Sequence, residues 1–156
     1  MINNVQTFLT YENIYMLANW GVLPFWLMLL VLPNHITTKF LVHSVIIPLL
    51  LSTAYIFVAY KIYLDGNILE GFNLYSGLDS LYSVFSDEAF LLIFWLHFLS
   101  ISLFTGAWIV RDGQRYLVPK IIIVLSIAIT YFSGPVGLVF YWFFRIFFAK
   151  KIGFNE

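Results

Sequence analysis

The sequence predicts an all-α, polytopic integral membrane protein built as a four-helix transmembrane bundle. Three observations predict it. Of 156 residues, 62% are hydrophobic and 10% charged, whereas soluble domains carry about 25% charged residues. A soluble domain this short buries only about two thirds of the surface its unfolded chain exposes, too little to hide so much apolar area. Four apolar segments also reach the ~20 residues a helix needs to cross the hydrocarbon core. They read as helices because an open strand would leave backbone groups unpaired in lipid.

The first span covers about residues 14–32 and is closed by Pro33-Asn34. The second covers about 40–60, closed by Lys61, and the third about 89–110, closed by Arg111. The connection between them is acidic, with Asp65, Glu70, Asp79, Asp87 and Glu88. Within it Leu74, Leu78, Leu81 and Phe85 recur at helical spacing, which predicts an interfacial amphipathic helix over about 73–86; an ordinary loop is the alternative. The fourth segment, 118–148, is closed by Lys150 and Lys151 and is too long: as straight helix it would extend ~46 Å against a ~30 Å core.

Ser133-Gly134-Pro135 interrupts that fourth segment and supplies a reason to bend or break. One reading is a single kinked, tilted helix; the other is two half-length helices forming a hairpin or two short spans. The single helix is preferred, because each half is short for a span. Four crossings would place Lys39, Arg111, Arg115 and Lys120 on one face, opposite Lys61, Lys150, Lys151 and nearly all the acids. A hairpin would move the C-terminal lysines to the basic face and make the positive-inside pattern cleaner. Either way the first and third loops are expected in the cytoplasm.

The chain reads as one transmembrane domain, residues 1–156, with no internal repeat. Met1–Glu12 lacks the basic region and cleavage site of a targeting peptide, so a multi-pass protein of the bacterial inner membrane is expected. Formal net charge is zero, which points away from nucleic acid. The chain has no cysteine, which excludes disulfides and thiolate chemistry.

His97 stands inside the third apolar run, where an ionisable group is costly and so a candidate for function. It shares a helical face with Ser100, Phe104, Trp108 and Arg111; the structural alternative is an imidazole that ties helices together. Gly106 permits a close neighbour. Asp112, between Arg111 and Arg115, reads either as part of a charged helix end or as a polar site at the membrane boundary. Thirty-two aromatic residues, 17 of them Phe, form an interfacial belt or line a slot for a flat or rod-like apolar ligand. Trp20, Trp26, Trp95 and Trp108 fit the belt by position. The run Phe140-Tyr141-Trp142-Phe143-Phe144 is too dense for a belt alone.

A metal centre using all three histidines is disfavoured by depth. On straight helices His97 lies ~20 Å from the basic face and His43 only ~5 Å, while metal–nitrogen bonds are ~2 Å. His35, His43 and Asp112 match in depth and would suit non-haem iron; a site without cofactor is the other reading.

The residues Trp20, Leu23-Pro24-Phe25-Trp26-Leu27-Met28, Pro33, Thr37, Trp95-Leu96-His97-Phe98, Leu103–Asp112, and Ser133–Leu138 with Tyr141 and Arg145 resemble the abscisic-acid-deficient-4-like membrane family. The resemblance covers about residues 20–145. It departs from the family at Ser102, where members often carry an acid, and at Lys120, where they often carry histidine. Plant members are implicated in forming neoxanthin from violaxanthin, so the resemblance implies a carotenoid or related isoprenoid ligand.

The leading expectation is therefore an integral-membrane carotenoid-processing enzyme that isomerises or rearranges an end group. His97 or Asp112 would carry the proton, and Trp26, Ser100, Phe104, Trp108, Arg111, Arg115 and Tyr141 would hold the substrate. The alternatives are oxidative cleavage to a retinal-like product, which would want a metal, and a non-catalytic carotenoid or lipid binder. A partner in a membrane complex, including a homo-oligomer, is the third.

Overall fold

The computed structural model describes residues 9–66 and 68–150, apart from the side chains of Ile68 and Glu70. The readings placed on Glu70, Lys151 and most of the N-terminal segment fall outside these residues. Among the described residues every regular element is helical. In chain order they are α1 (Tyr11–Gly21), α2 (Leu23–Val31), α3 (Ile36–Thr38) running into a π-helical turn (Lys39–His43), and α4 (Ile46–Leu64). A 3-10 helix (Ile68–Tyr75), α5 (Leu78–Phe85), α6 (Glu88–Arg115), α7 (Lys120–Ser133) and α8 (Pro135–Ala149) follow. Three stretches, Tyr11–Val31, Ile36–Leu64 and Glu88–Arg115, are long and apolar enough to cross a membrane.

The chain divides into two compact units, Met1–Val22 with Leu49–Ser100, and Leu23–Pro48 with Ile101–Glu156. In the first, Thr10 caps α1 by accepting the Asn13 N–H at 3.2 Å. Lys61 of α4 donates to the Leu9 carbonyl at 3.2 Å and lies 4.8 Å over the Tyr11 ring. Asp87 caps α6, accepting from the N–H groups of Ala89 and Phe90 at 2.9 and 3.1 Å, as an acid at a helix start should. Ile14, Val58, Ile62, Leu96 and Leu99 are buried in this unit. The hydroxyls of Ser52 and Ser100 meet at 3.1 Å, a polar tie between α4 and α6. The interval 73–86, expected to hold an interfacial helix, takes in the end of the 3-10 helix and α5, with Tyr75, Leu78 and Tyr82 exposed.

In the second unit Trp26 is the hub of α2. It is buried, its ring stands edge-on to Tyr131 at 5.5 Å, and a Cβ on Gly106 would lie 2.7 Å from its ring. Glycine at 106 is what lets the indole reach the α6 backbone. The start of the second span departs from a plain helix. The Ser44 N–H bonds the Lys39 carbonyl at 3.0 Å, and Val45 has φ 69°, an unusual backbone for a β-branched residue. Pro48 lacks the N–H that would continue the ladder to Ser44.

The preferred single kinked helix over 118–148 is not what forms: α7 and α8 fold back on each other. Gly134 supplies the turn with φ 48°, open to glycine at no steric cost, and Pro135 begins α8 where a missing N–H does no harm. Gly137 then sits so close to α7 that a Cβ would strike the Thr130 side chain and backbone and the Ser126 carbonyl. On one continuous helix residues 126 and 137 would be ~16 Å apart. The hydroxyls inside this contact are satisfied, Ser126 donating to Ile122 and Thr130 to Ser126, each at 2.7 Å. Each arm spans only ~21–23 Å as helix, shorter than a hydrocarbon core.

Two outcomes test the hairpin. The chain has no cysteine, so single cysteines at Lys39 and Lys150 can be labelled without background. Three crossings and a returning hairpin require both to react from the same side of the membrane; labelling from opposite sides would refute the return. Gly137→Leu forces side-chain bulk into backbone and is expected to destabilise by at least the ~1–3 kcal/mol of overpacking, read as a lower unfolding temperature in detergent.

Candidate functional site

Asp112 lies in the last turn of α6, where the helix dipole presents its negative end and an unpaired carboxylate is disfavoured. The chain answers this from α8. Arg145 Nε donates to Asp112 Oδ2 at 2.5 Å and Nη2 to Oδ1 at 3.3 Å, a fork on a carboxylate. The Tyr141 hydroxyl donates to the same Oδ2 at 2.6 Å. The side chains of Arg145 and Asp112 are 1% and 11% exposed, and Tyr141 is fully buried.

Aromatic rings surround the pair. The Arg145 guanidinium lies 4.6 Å from the Tyr116 ring centre and 4.9 Å from that of Trp142. Trp108 stands at 90° to Tyr141 with centres 5.6 Å apart. Gly113 makes room: a Cβ there would be 2.6 Å from Ile123 and 3.6 Å from Tyr141. The helix closes just beyond, where Leu117 turns left-handed (φ 53°) and the Leu117 and Val118 N–H groups bond back to Gln114 and Gly113, a Schellman ending. Pro119 prevents continuation.

His97 belongs to the first unit and is exposed there. It lines a cavity of about 400 Å³ together with Tyr55, Phe72, Tyr75, Phe90 and Phe94. Tyr55 is its ring neighbour, 6.5 Å between centres. The imidazole therefore faces open space walled by aromatic residues of α4, α6 and the 3-10 helix.

The residues read as one face from helical spacing have different surroundings. Ser100 is buried on Ser52, Phe104 is exposed, and Trp108 packs on Tyr141. Arg111 is exposed and reaches the His43 carbonyl at 3.4 Å. Arg115 lies 5.6 Å from the Tyr116 ring centre. Trp26, read as belt or ligand wall, is a core residue. The structure also keeps His35, His43 and Asp112 apart. His35 Nδ1 caps α3 beside Thr37, His43 Nε2 donates to the Pro33 carbonyl at 3.2 Å, and Asp112 is held by Arg145. Among the described residues no three histidine or acidic side chains gather as metal ligands.

Arg145 is the site residue that spacing missed. Its signal was available: a lone cation inside an apolar run, the same rule that marked His97.

The chain matches the ABA DEFICIENT 4-like family over residues 13–141. It belongs to that family. The matched region contains His97, Asp112 and Tyr141, and Arg145 follows just beyond it. No curated protein and no solved structure matches the chain. In this ABA DEFICIENT 4-like protein the two candidate centres are thus an aromatic cavity with an open imidazole and a closed Asp112–Arg145–Tyr141 cluster.

Removing one partner of a buried pair strands the other charge. Arg145→Met is therefore expected to destabilise by ~3–5 kcal/mol, and Tyr141→Phe by ~1–3 kcal/mol. Adding Asp112→Asn to Arg145→Met should recover part of that loss, measured as a double-mutant cycle of unfolding in detergent. Strict additivity would show that the pair does not couple the helices.

Proposed function

We propose that this protein is an integral-membrane enzyme that rearranges one end group of a carotenoid-type polyene, with His97 as the proton carrier. The observation that carries the reading is the exposed imidazole in an aromatic-walled cavity, in a chain whose family resemblance implies a carotenoid. At about 400 Å³ the cavity falls in the ~300–1,000 Å³ range of small-molecule pockets. It suits a terminal ring better than a whole polyene, whose ~30 Å length matches the hydrocarbon core.

End-group isomerisation conserves atoms: one proton leaves a ring carbon and one is delivered to an oxygen or another carbon. Imidazole performs both steps near neutral pH, accepting in one and donating in the other. Tyr55, beside His97, would bound the ring and orient it. Asp112 takes a different part from the one expected of it. Both its oxygens accept hydrogen bonds from Arg145 and Tyr141, so its role here is to position α8 against α6 within its own unit.

Expression in carotenoid-producing cells, followed by chromatography of the pigments, tests the proposal. A new product is expected with the native chain and none with His97→Ala at equal membrane abundance. Unaltered turnover in that variant would reject His97. Unchanged pigment retained on the purified native protein, without product, would make it a carrier instead.

A further inference from the structure

Three contacts set one level across the end of the second unit. Arg111 reaches the His43 carbonyl, Asp112 holds Arg145, and a Cβ on Gly113 would strike Ile123. Residues 43, 111–113, 123 and 145 therefore stand side by side on four segments of the chain. Lys39 precedes that level by four residues, and Arg115 lies just past it on α6. Lys120 is three residues outside it, ~4.5 Å along α7, and Lys150 five residues outside it, ~7.5 Å along α8. These four cations and Arg111 are exposed. Residues 23–48 and 101–150 contain one acid, Asp112, and Arg145 already matches it. Within those residues the rim carries positive charge that no carboxylate of its own offsets.

Below the rim, in the same unit, α2 and α7 leave an apolar groove of about 170 Å³. Leu23, Leu27 and Leu30 line it from α2, and Ile127, Tyr131 and Phe132 from α7. Leu27 and Phe132 are exposed, so the groove opens on the apolar surface. Measured from Lys120, it begins ~10 Å along α7 at Ile127 and ends ~18 Å along it at Phe132. One leaflet supplies ~15 Å of a ~30 Å hydrocarbon core. With Lys120 at the level of the headgroups, the groove therefore lies at the depth of the acyl chains.

We propose that the rim and the groove form a site for one anionic phospholipid, its phosphate on Lys120 and one acyl chain between α2 and α7. Lys120 is the rim cation carried by a helix that also walls the groove. The other four cations add attraction for negative charge at the membrane surface. A free phosphate would satisfy the rim and leave the groove empty, and a neutral lipid would do the reverse. An anionic head on an apolar tail meets both.

The test is lipid retention by the affinity-captured full chain in detergent, in about 1 M salt, where charges more than ~3 Å apart are largely screened. The probes are dioleoyl phosphatidylglycerol, dioleoyl phosphatidylcholine, which has the same chains on a zwitterionic head, and dihexanoyl phosphatidylglycerol, which has the same head on short chains. Native protein is expected to retain the first about tenfold better than either of the others. Lys120→Gln should lower that retention about tenfold, the worth of one charge-assisted hydrogen bond, and Lys120→Arg should restore most of it. Lys150→Gln should change it by less than about twofold, its charge being screened. Leu27 is 59% exposed, so Leu27→Trp fills the groove without loading the core and should also lower retention about tenfold. Lipid-free unfolding temperatures equal to that of the native chain exclude misfolding in either variant. Equal retention of the two dioleoyl lipids overturns the site and leaves the rim to an acidic protein partner. Equal losses in Lys120→Gln and Lys150→Gln overturn it in favour of diffuse charge attraction. Equal retention of the long-chain and short-chain phosphatidylglycerols, or unaltered retention in Leu27→Trp, removes the groove from the site and overturns the proposal.

Discussion

An arginine and a carboxylate can share an apolar interior only in contact, because each alone carries a desolvation cost of several kcal/mol. In this protein the two groups are Asp112 and Arg145, on helices separated by a third. For them to meet, the chain must leave α6, run out along α7 and come back along α8. Much of the second unit can be understood as the means to that end. Gly134 and Pro135 provide the reversal, Gly137 lets the arms touch, and Gly113 lets Ile123 and Tyr141 press on α6. Tyr141 then adds a third hydrogen bond to the carboxylate, and Tyr116 and Trp142 flank the guanidinium.

The first unit is built by other means. Its polar ties are a hydroxyl pair, Ser52 with Ser100, a lysine on a carbonyl and a ring, and the Asp87 cap. Aromatic side chains there wall cavities instead of closing around a charge. Open space beside a titratable ring is what chemistry on an apolar substrate needs, and an enclosed, hydrogen-bonded ion pair is what rigidity needs. On the proposed reading the two centres divide these tasks, and His97 and Asp112, both singled out as proton carriers from sequence, take different parts.

Local features of the chain were readable in advance. The three long spans lie close to where hydropathy puts them, with α6 running on to Arg115. Gly106 was recognised as a point of close approach, though not that Trp26 is the residue that approaches. Arg145 was legible by the rule applied to His97, but it entered the sequence reading only through the family resemblance. His43 and His35 matched Asp112 in depth, and depth is one coordinate of three; their side chains turn to Pro33 and Thr37.

By itself the sequence determined the class of protein, the approximate positions of its three long apolar spans, the ends where its cations gather and the position at which the last segment breaks. These depend on composition and on spacing along the chain, which hydropathy and backbone sterics translate directly into structure. Only the tertiary structure decided that the break is a full reversal, that Arg145 is the buried ion and His97 the exposed one, and that His97 opens onto an aromatic-walled cavity. Each of these depends on contacts between residues far apart in the chain, and helical periodicity says which way a side chain points without saying what it meets.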